Sequence, residues 1–145
     1  MQVMPEARRV VVGVDGSPNS MAALRRASDE AFRRSARLEV VRVLDGTPGR
    51  IRTARAWLRL RTLAARKIPR SRHILTRLRI VYGDPAAVLP QAAERAELLV
   101  IGARVNSQHG NPFGGHTVPI VLDTSPCEVV ICADHAASAR ARTDH

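Results

Sequence analysis

A glycine-rich segment in the second half of the chain has the residue types of an anion-binding site. It follows an aliphatic run, LLVI, that ends at Gly102 and is typical of a strand buried on both faces of a parallel sheet. Gly110, Gly114 and Gly115 come next, and the pattern then predicts a helix over 117–123. Strand, glycine-rich loop and helix start together predict a place where backbone N–H groups converge on an anion.

A carboxylate near the start of the chain is the second candidate. Asp15 directly follows the aliphatic run 10–14, and Ser17 and Pro18 have the residue types of a helix N-cap and a first helical position. A carboxylate beside bound phosphates would repel them, so we expect Asp15 to face a hydroxyl or amino group, as in ribose or adenine. Aspartate before glycine also often caps its own turn, and these residues alone favour neither interpretation.

Alternating aliphatic runs and amphipathic stretches predict the elements that position these residues. The predicted fold class is α/β: a single three-layer doubly wound domain over 1–145, with a five-stranded parallel sheet and helices on both faces. Its core spans about 8–133, and the polar tail 134–145 is expected to be flexible. Strands are predicted over 10–14, 38–44, 75–82, 98–101 and 129–132, and helices over 18–34, 51–66, from Asp84-Pro85 onward, and 117–123.

The carboxyl ends of the strands are where such a sheet binds ligands, at the point where strand order reverses. Asp15, Val43, Ile101 and Gly102 all fall at such ends. We therefore expect Asp15 and the glycine-rich loop to open into one crevice.

The second predicted helix carries two stripes of side chains. Helical spacing predicts that its inner side is formed by Ile51, Ala54, Leu58 and Ala65, widened by Trp57, Leu60 and Ala64. A basic stripe on the opposite side is interpreted as a solvated face rather than a docking surface; it consists of Arg52, Arg55, Arg59 and Arg66.

The charge of the chain restricts its partners. Its formal net charge is +10, and Lys67 is the single lysine among 23 basic residues, which predicts strong attraction to polyanions. Aromatic residues make up only 3%, which argues against a base-stacking platform and makes nucleic-acid binding the weakest hypothesis. No apolar run reaches the roughly 20 residues of a membrane span, and the N-terminus lacks a signal-peptide pattern, so a cytoplasmic protein is expected. Cys127 and Cys132 have no metal-ligand spacing and are interpreted as packing residues.

Several segments, taken in order, resemble a universal stress protein domain of the UspA-like type. They are VVVGVDGSPNSMAAL, RLEVVRVLD, VYGDPAAVL, LLVIGAR and TSPCEVVIC, and the resemblance covers nearly the whole chain. It implies the fold shared with adenine nucleotide alpha hydrolase-like proteins and a non-catalytic stress-response module. It further implies an adenine nucleotide of the ATP or AMP type as ligand and a homodimer formed through strand 129–132. An apolar strand at a sheet edge would be an exposed pairing surface, which favours the same dimer.

The resemblance also assigns roles to individual residues. ATP-binding members carry a loop of the form G-x2-G-x9-G-[ST], and counting starts here at Gly102. By resemblance Asp15 contacts the ribose, the backbone of Val43 the adenine, and Gly102 and Gly115 the phosphates. Gly13 falls where some members place a proline near the base. The remaining cofactor-binding candidates are Ile101, Arg104, Val105, His116 and Thr117.

Two positions depart from the family loop. Val105 stands at the second glycine, where its methyl groups obstruct close approach to a phosphate, and His116 stands at the hydroxyl position but keeps its backbone N–H. These departures leave open an alternative, a nucleotide-free interaction or scaffold domain with a degenerate phosphate loop. AMP or a cyclic nucleotide would need fewer phosphate contacts than ATP.

No catalytic set is predicted. The chain lacks the G-x4-G-K-[ST] loop of phosphate-transfer enzymes and the G-x-S-x-G form of a nucleophile elbow. His109 and His116 have no further ligands in the sequence pattern, so each is interpreted as a surface histidine and no metal site is expected.

Overall fold

The computed structural model describes residues 8–15, 18–103, 117–133 and 139–141. Its strands are β1 (Arg9–Val14), β2 (Arg37–Leu44), β3 (Thr76–Tyr82), β4 (Leu98–Ala103), β5 (Glu128–Ala133) and β6 (Ala139–Ala141). Its α-helices are α1 (Pro18–Arg33), α2 (Arg50–Lys67), α3 (Pro85–Ala92) and α4 (Thr117–Thr124), and a 3₁₀ helix that the sequence did not predict covers Arg70–Leu75.

The strands form one sheet in the order β3-β2-β1-β4-β5-β6. The first five strands are parallel, which confirms the predicted α/β fold and its five-stranded parallel sheet. β6 is an addition: it pairs antiparallel with β5 and lies in the segment that was expected to be a flexible tail.

β6 changes the environment of the last predicted strand. Ala139–Ala141 pairs with residues 129–131 of β5, so the backbone groups along that side of β5 are already engaged within the chain. The prediction that strand 129–132 forms an open edge of the sheet is therefore wrong. The physical reason is that a short strand after the main domain satisfies the edge hydrogen bonds.

The helices cover both faces of the sheet. On one face, α1 and α2 pack on alternate strand residues such as Val10, Val12 and Leu38, with Leu24 and Leu60 above them. On the other face, α3 and α4 cover the intervening residues, and the buried members of that cluster are Val11, Val41, Val43, Leu89, Ala93, Leu99, Ile101, Val121 and Val129. Aliphatic runs buried on both faces are what this three-layer arrangement requires.

Helix α3 begins as the sequence predicts. Asp84 is the N-cap, its carboxylate accepts the backbone N–H of Ala86 at 3.1 Å, and Pro85 takes the first helical position. β4 runs further than predicted, because Gly102 still pairs with Cys132 instead of ending the strand.

Helix α2 buries only part of the side that was predicted to face inward: Leu60 and Ala64 are buried as expected, but Ile51 and Leu58 are not. Ile51 and Leu58 are 76% and 56% exposed, whereas Leu60 and Ala64 are buried and Leu63 packs against the core. At about 100° per residue, Ile51 and Leu58 lie on nearly the opposite side of the helix from Leu60, so the predicted side was too wide and centred on the wrong residues. The arginine stripe consequently lies next to the buried stripe and not opposite it.

The two cysteines lie on opposite faces of the sheet and form no disulfide. Cys132 belongs to the α1–α2 side of the core, and Cys127 packs against the α3–α4 side. Burial raises the pKa of both thiols, which disfavours the reactive thiolate. Their position is that of small packing residues.

Candidate functional site

The order of the sheet reverses between β1 and β4, which lie next to each other. Gly13 pairs with Ile101 in this parallel register, Asp15 follows two residues after Gly13, and Gly102 follows directly after Ile101. Neighbouring strands lie about 5 Å apart, so Asp15 and Gly102 meet at the same edge of the sheet. A reversal point of this kind is where open α/β sheets bind ligands.

Asp15 is held by the first turn of α1. The Ser20 hydroxyl donates to Asp15 Oδ1 at 2.5 Å and accepts the Asp15 backbone N–H at 2.8 Å. Ser20 is fully buried, so the carboxylate is fixed beside the helix N-terminus, which favours negative charge. Ser20 was not among the residues predicted from the sequence. Its signal is its position one turn before Leu24, on the inner face of α1.

The other predicted residues at the strand ends contribute mainly backbone. Val43 and Ile101 bury their side chains on the α3–α4 face, and Gly13 lies under Leu89 of α3. Val43 directly follows Arg42, which pairs with Val14, so its backbone stands on the other side of β1 from Gly102. β1 is thus flanked by the ends of β2 and β4.

The remaining candidates come from the glycine-rich segment. Arg104, Val105, Gly115 and His116 lie outside the described residues, as does the predicted cap Ser17. Thr117 is the first residue of α4, close to the helix start that the sequence predicts.

A positively charged groove lies between α1 and α2, above the ends of β1 and β2. It measures about 680 Å³, and Asp15 and Met21 line its α1 side. The cations that line it are Arg42, Arg52, Arg55, Arg59, Arg66 and Lys67. The arginine stripe of α2 is exposed, as predicted, but it also forms the wall of this groove.

Arg42 is the cation of this groove that comes from the sheet. Leu38 and Val40 point into the α1–α2 core, and Arg42 continues their alternation on β2. Burial lowers the pKa of Arg42, the nearby carboxylate of Asp15 acts in the opposite direction, and the positive charges of Arg59 and Arg52 lower the pKa further. The sequence analysis did not single out this residue.

The sequence matches a known protein family over most of its length. The universal stress protein family matches residues 6–133, most of the chain. The chain belongs to the universal stress protein family. No curated protein matches it in sequence.

Solved structures of universal stress proteins share the fold. UspA from Lactobacillus plantarum is 25% identical with a TM-score of 0.64, and the match covers 89% of this chain and 99% of that one. A universal stress protein in complex with cAMP is 26% identical with a TM-score of 0.63, covering 87% and 96% of the two chains. The universal stress protein from Archaeoglobus fulgidus in complex with dAMP is 20% identical with a TM-score of 0.65, covering 86% and 97%, a likeness of fold alone.

The described part of this universal stress protein holds neither a metal-ligand cluster nor a membrane-spanning helix. Within residues 8–15, 18–103, 117–133 and 139–141, no three His, Cys, Asp or Glu side chains cluster as a metal site would require. Among the helices that the structure describes, none has the length and apolar character needed to cross a bilayer.

Proposed function

We propose that this universal stress protein is a cytoplasmic, non-catalytic stress-response module that binds an adenine nucleotide. The observation that carries the proposal is the juxtaposition of Asp15 and Gly102 on neighbouring strand ends at the reversal point of the sheet. The relative with 26% identity that was solved with cAMP supports an adenine ligand for a domain of this type.

The chemistry of the residues present fits such a ligand. Asp15 accepts hydrogen bonds from the ribose hydroxyls, and Ser20 keeps its carboxylate in place for them. Gly102 brings backbone without a side chain to the same edge, next to the segment that leads to α4. A carboxylate for hydroxyls and cations nearby for phosphates are the groups that a nucleotide needs.

The departures at Val105 and His116 should affect nucleotides with different numbers of phosphates to different degrees. A loop with valine and histidine at these positions offers fewer approaches to a triphosphate, so we expect AMP and cyclic AMP to depend less on it than ATP does. The second candidate function, an interaction domain without nucleotide, is favoured by the same two residues.

Calorimetric titration with ATP, ADP, AMP and cyclic AMP tests the proposal. We expect binding of at least one of the four, and a loss of about tenfold or more in Asp15→Ala because a charge-assisted hydrogen bond to the ligand is removed. Asp29→Ala is the matched control, since Asp29 is an exposed aspartate on α1 that pairs with Arg72 at 3.0 Å. Unchanged affinity in Asp15→Ala would remove the proposed site, and no binding of any nucleotide would favour the interaction domain.

Homodimerisation through β5 stays part of the proposal, with one added condition. Residues 129–131 already pair with β6, so two β5 strands can meet only if β6 leaves that edge. Light scattering of the full chain at micromolar concentration measures the outcome. A monomer under these conditions would contradict the dimer.

A further inference from the structure

We propose that the arginine-lined groove between α1 and α2 binds the phosphate groups of the ligand, with Arg42 and Arg59 as its principal cations. The inference rests on the proposed function for the nucleoside part of the ligand, which Asp15 holds. It assigns the anionic part to side chains of β2 and α2 instead of to the glycine-rich loop alone.

The position and size of the groove fit this role. Asp15 and Arg42 line the same cavity, so a ligand that contacts the carboxylate extends directly into the basic wall. Its volume of about 680 Å³ lies in the usual range for small-molecule sites, about 300–1,000 Å³. Leu44, Leu60 and Leu63 give it apolar lining.

Among the residues that the structure describes, four of the five arginines that line the groove have no carboxylate partner. Arg52, the fifth, pairs with Asp45, and outside the groove Arg33 and Arg34 pair with Glu30 and Arg79 pairs with Glu39. In the part of the chain that the structure describes, the guanidinium groups of Arg42, Arg55, Arg59 and Arg66 form neither a hydrogen bond nor a salt bridge. Asp15 also lines the groove, but the guanidinium groups outnumber it, and such groups can bind a multiply charged anion bidentately.

Arg42 is the strongest indication that this charge serves a ligand. It stands in a strand at a position that faces the α1–α2 layer, where Leu38 and Val40 are buried apolar residues. A charged side chain at such a position costs desolvation energy, which the carboxylate of Asp15 offsets in part, and the nearby Arg59 adds repulsion. An anion between the two guanidinium groups removes the repulsion and restores the lost hydrogen bonds.

Binding of tripolyphosphate and of ATP, measured by calorimetry at physiological salt, tests the inference. Arg42→Gln and Arg59→Gln are the test variants, and Arg61→Gln is the matched control. Arg61 lies on the same helix but stacks over Trp57 at 5.7 Å from the ring centroid and lines a different cavity. Arg59 is an exposed helix residue, so its variant keeps the test informative if Arg42→Gln fails to fold.

We expect each test variant to weaken tripolyphosphate about fivefold or more, and the control to change it less than about twofold. Equal losses in all three variants would show only general attraction to a basic protein and would overturn the inference. The inference would also be overturned if ATP binding were weakened by Asp15→Ala but unchanged in Arg42→Gln and Arg59→Gln. That result would still support the proposed function.

The anion site can also hold while the proposed function fails, and a separate pair of results identifies that case. Tripolyphosphate binding that depends on Arg42 and Arg59, in a protein that binds no nucleotide, supports the anion site and contradicts the proposed function. Binding of both ligands, with Asp15→Ala weakening ATP but not tripolyphosphate, supports both.

Discussion

Leu89 occupies the space that a side chain at Gly13 would need. A Cβ atom built on Gly13 lies 2.8 Å from Leu89 Cδ2 and 3.5 Å from Ile101 Cγ2, and Leu89 is fully buried. The absence of a side chain at Gly13 therefore lets α3 pack closely on β1, two residues before Asp15. The family resemblance placed Gly13 near the base of the ligand, but close packing against Leu89 is enough to explain why this position is a glycine.

Gly13→Ala is expected to destabilise the protein by about 1–3 kcal/mol, because the new methyl group overpacks a buried contact. Urea denaturation measures the change in the free energy of unfolding. The double variant with Leu89→Ala provides the control, since the shortened side chain makes room for the methyl group. The two changes should be less than additive, and full additivity would contradict the contact.

Ser20→Ala is expected to weaken nucleotide binding about threefold to tenfold, because Asp15 loses the hydroxyl that orients its carboxylate. Ser28→Ala is the control: Ser28 is also buried on α1, but it bonds Arg72 at 3.0 Å. Both variants should lose about 1 kcal/mol of stability, as loss of a hydrogen bond does. Equal affinities in the two variants would show that Ser20 is merely structural.

Glu30 should make the stability of the fold depend on acid. Hydrogen bonds from Arg33, opposed by burial and aided by Arg26 and Arg34, lower its pKa from 4.5 to about 2. Because the folded pKa is the lower one, this stabilisation is full above about pH 4.5 and is lost as the pH falls toward 2. It amounts to at most about 3 kcal/mol.

Urea denaturation between pH 3 and pH 6 measures this effect in Glu30→Gln. The variant should be less stable than the wild type at pH 6, and the difference should shrink at pH 3. Asp29→Asn, at the neighbouring exposed residue, should change stability by less than about 1 kcal/mol at either pH. A constant difference for Glu30→Gln across this range would contradict the assignment.

A variant that ends at residue 138 lacks β6 and leaves residues 129–131 of β5 without their antiparallel partner. We expect it to self-associate more strongly than the full chain, because an open strand edge pairs with other chains. Light scattering at equal concentrations compares the two proteins. Replacing Thr143 by a stop codon serves as the control, since that shortened chain retains 139–141. Equal masses for all three would contradict the role of β6.

The sheet could be predicted because its strands are unbroken aliphatic runs. Val10–Val12 and Leu98–Ile101 are fully buried, and such runs have few alternatives to a strand covered on both faces. β6 could not be predicted in this way. Its residues, Ala139–Ala141, form no aliphatic run, their Ala-Arg-Ala alternation is too short to indicate a strand, and their strand partner is β5.

Helix α2 shows why a periodic pattern alone fails. Its sequence offers an apolar stripe through Ile51 and Leu58, yet Leu60, Leu63 and Ala64 form the side that contacts the core. Hydrophobicity measures the tendency of a residue to be buried, but the shape of the layer beneath determines which residues fit. Small side chains permit a close approach, and that preference is absent from a count of apolar residues.

The part of the candidate site that depends only on the course of the backbone could be predicted from the sequence. The parallel register brings Asp15 and Gly102 together, as expected from the order of the strands. Ser20 and Arg42 were missed because each is an ordinary residue type whose meaning depends on what surrounds it. A buried serine and an inward-facing arginine become informative only when their neighbours in space are known.

The cations that line the groove keep their charge over the pH range in which proteins work. Arginine remains protonated far above neutral pH, and of the cations that line the groove only Lys67 is of another type. Acidification of the surroundings therefore leaves its positive charge unchanged. If the groove binds phosphate groups as proposed, ionic strength and competing anions change its occupancy, because salt screens the attraction and other anions take the same place.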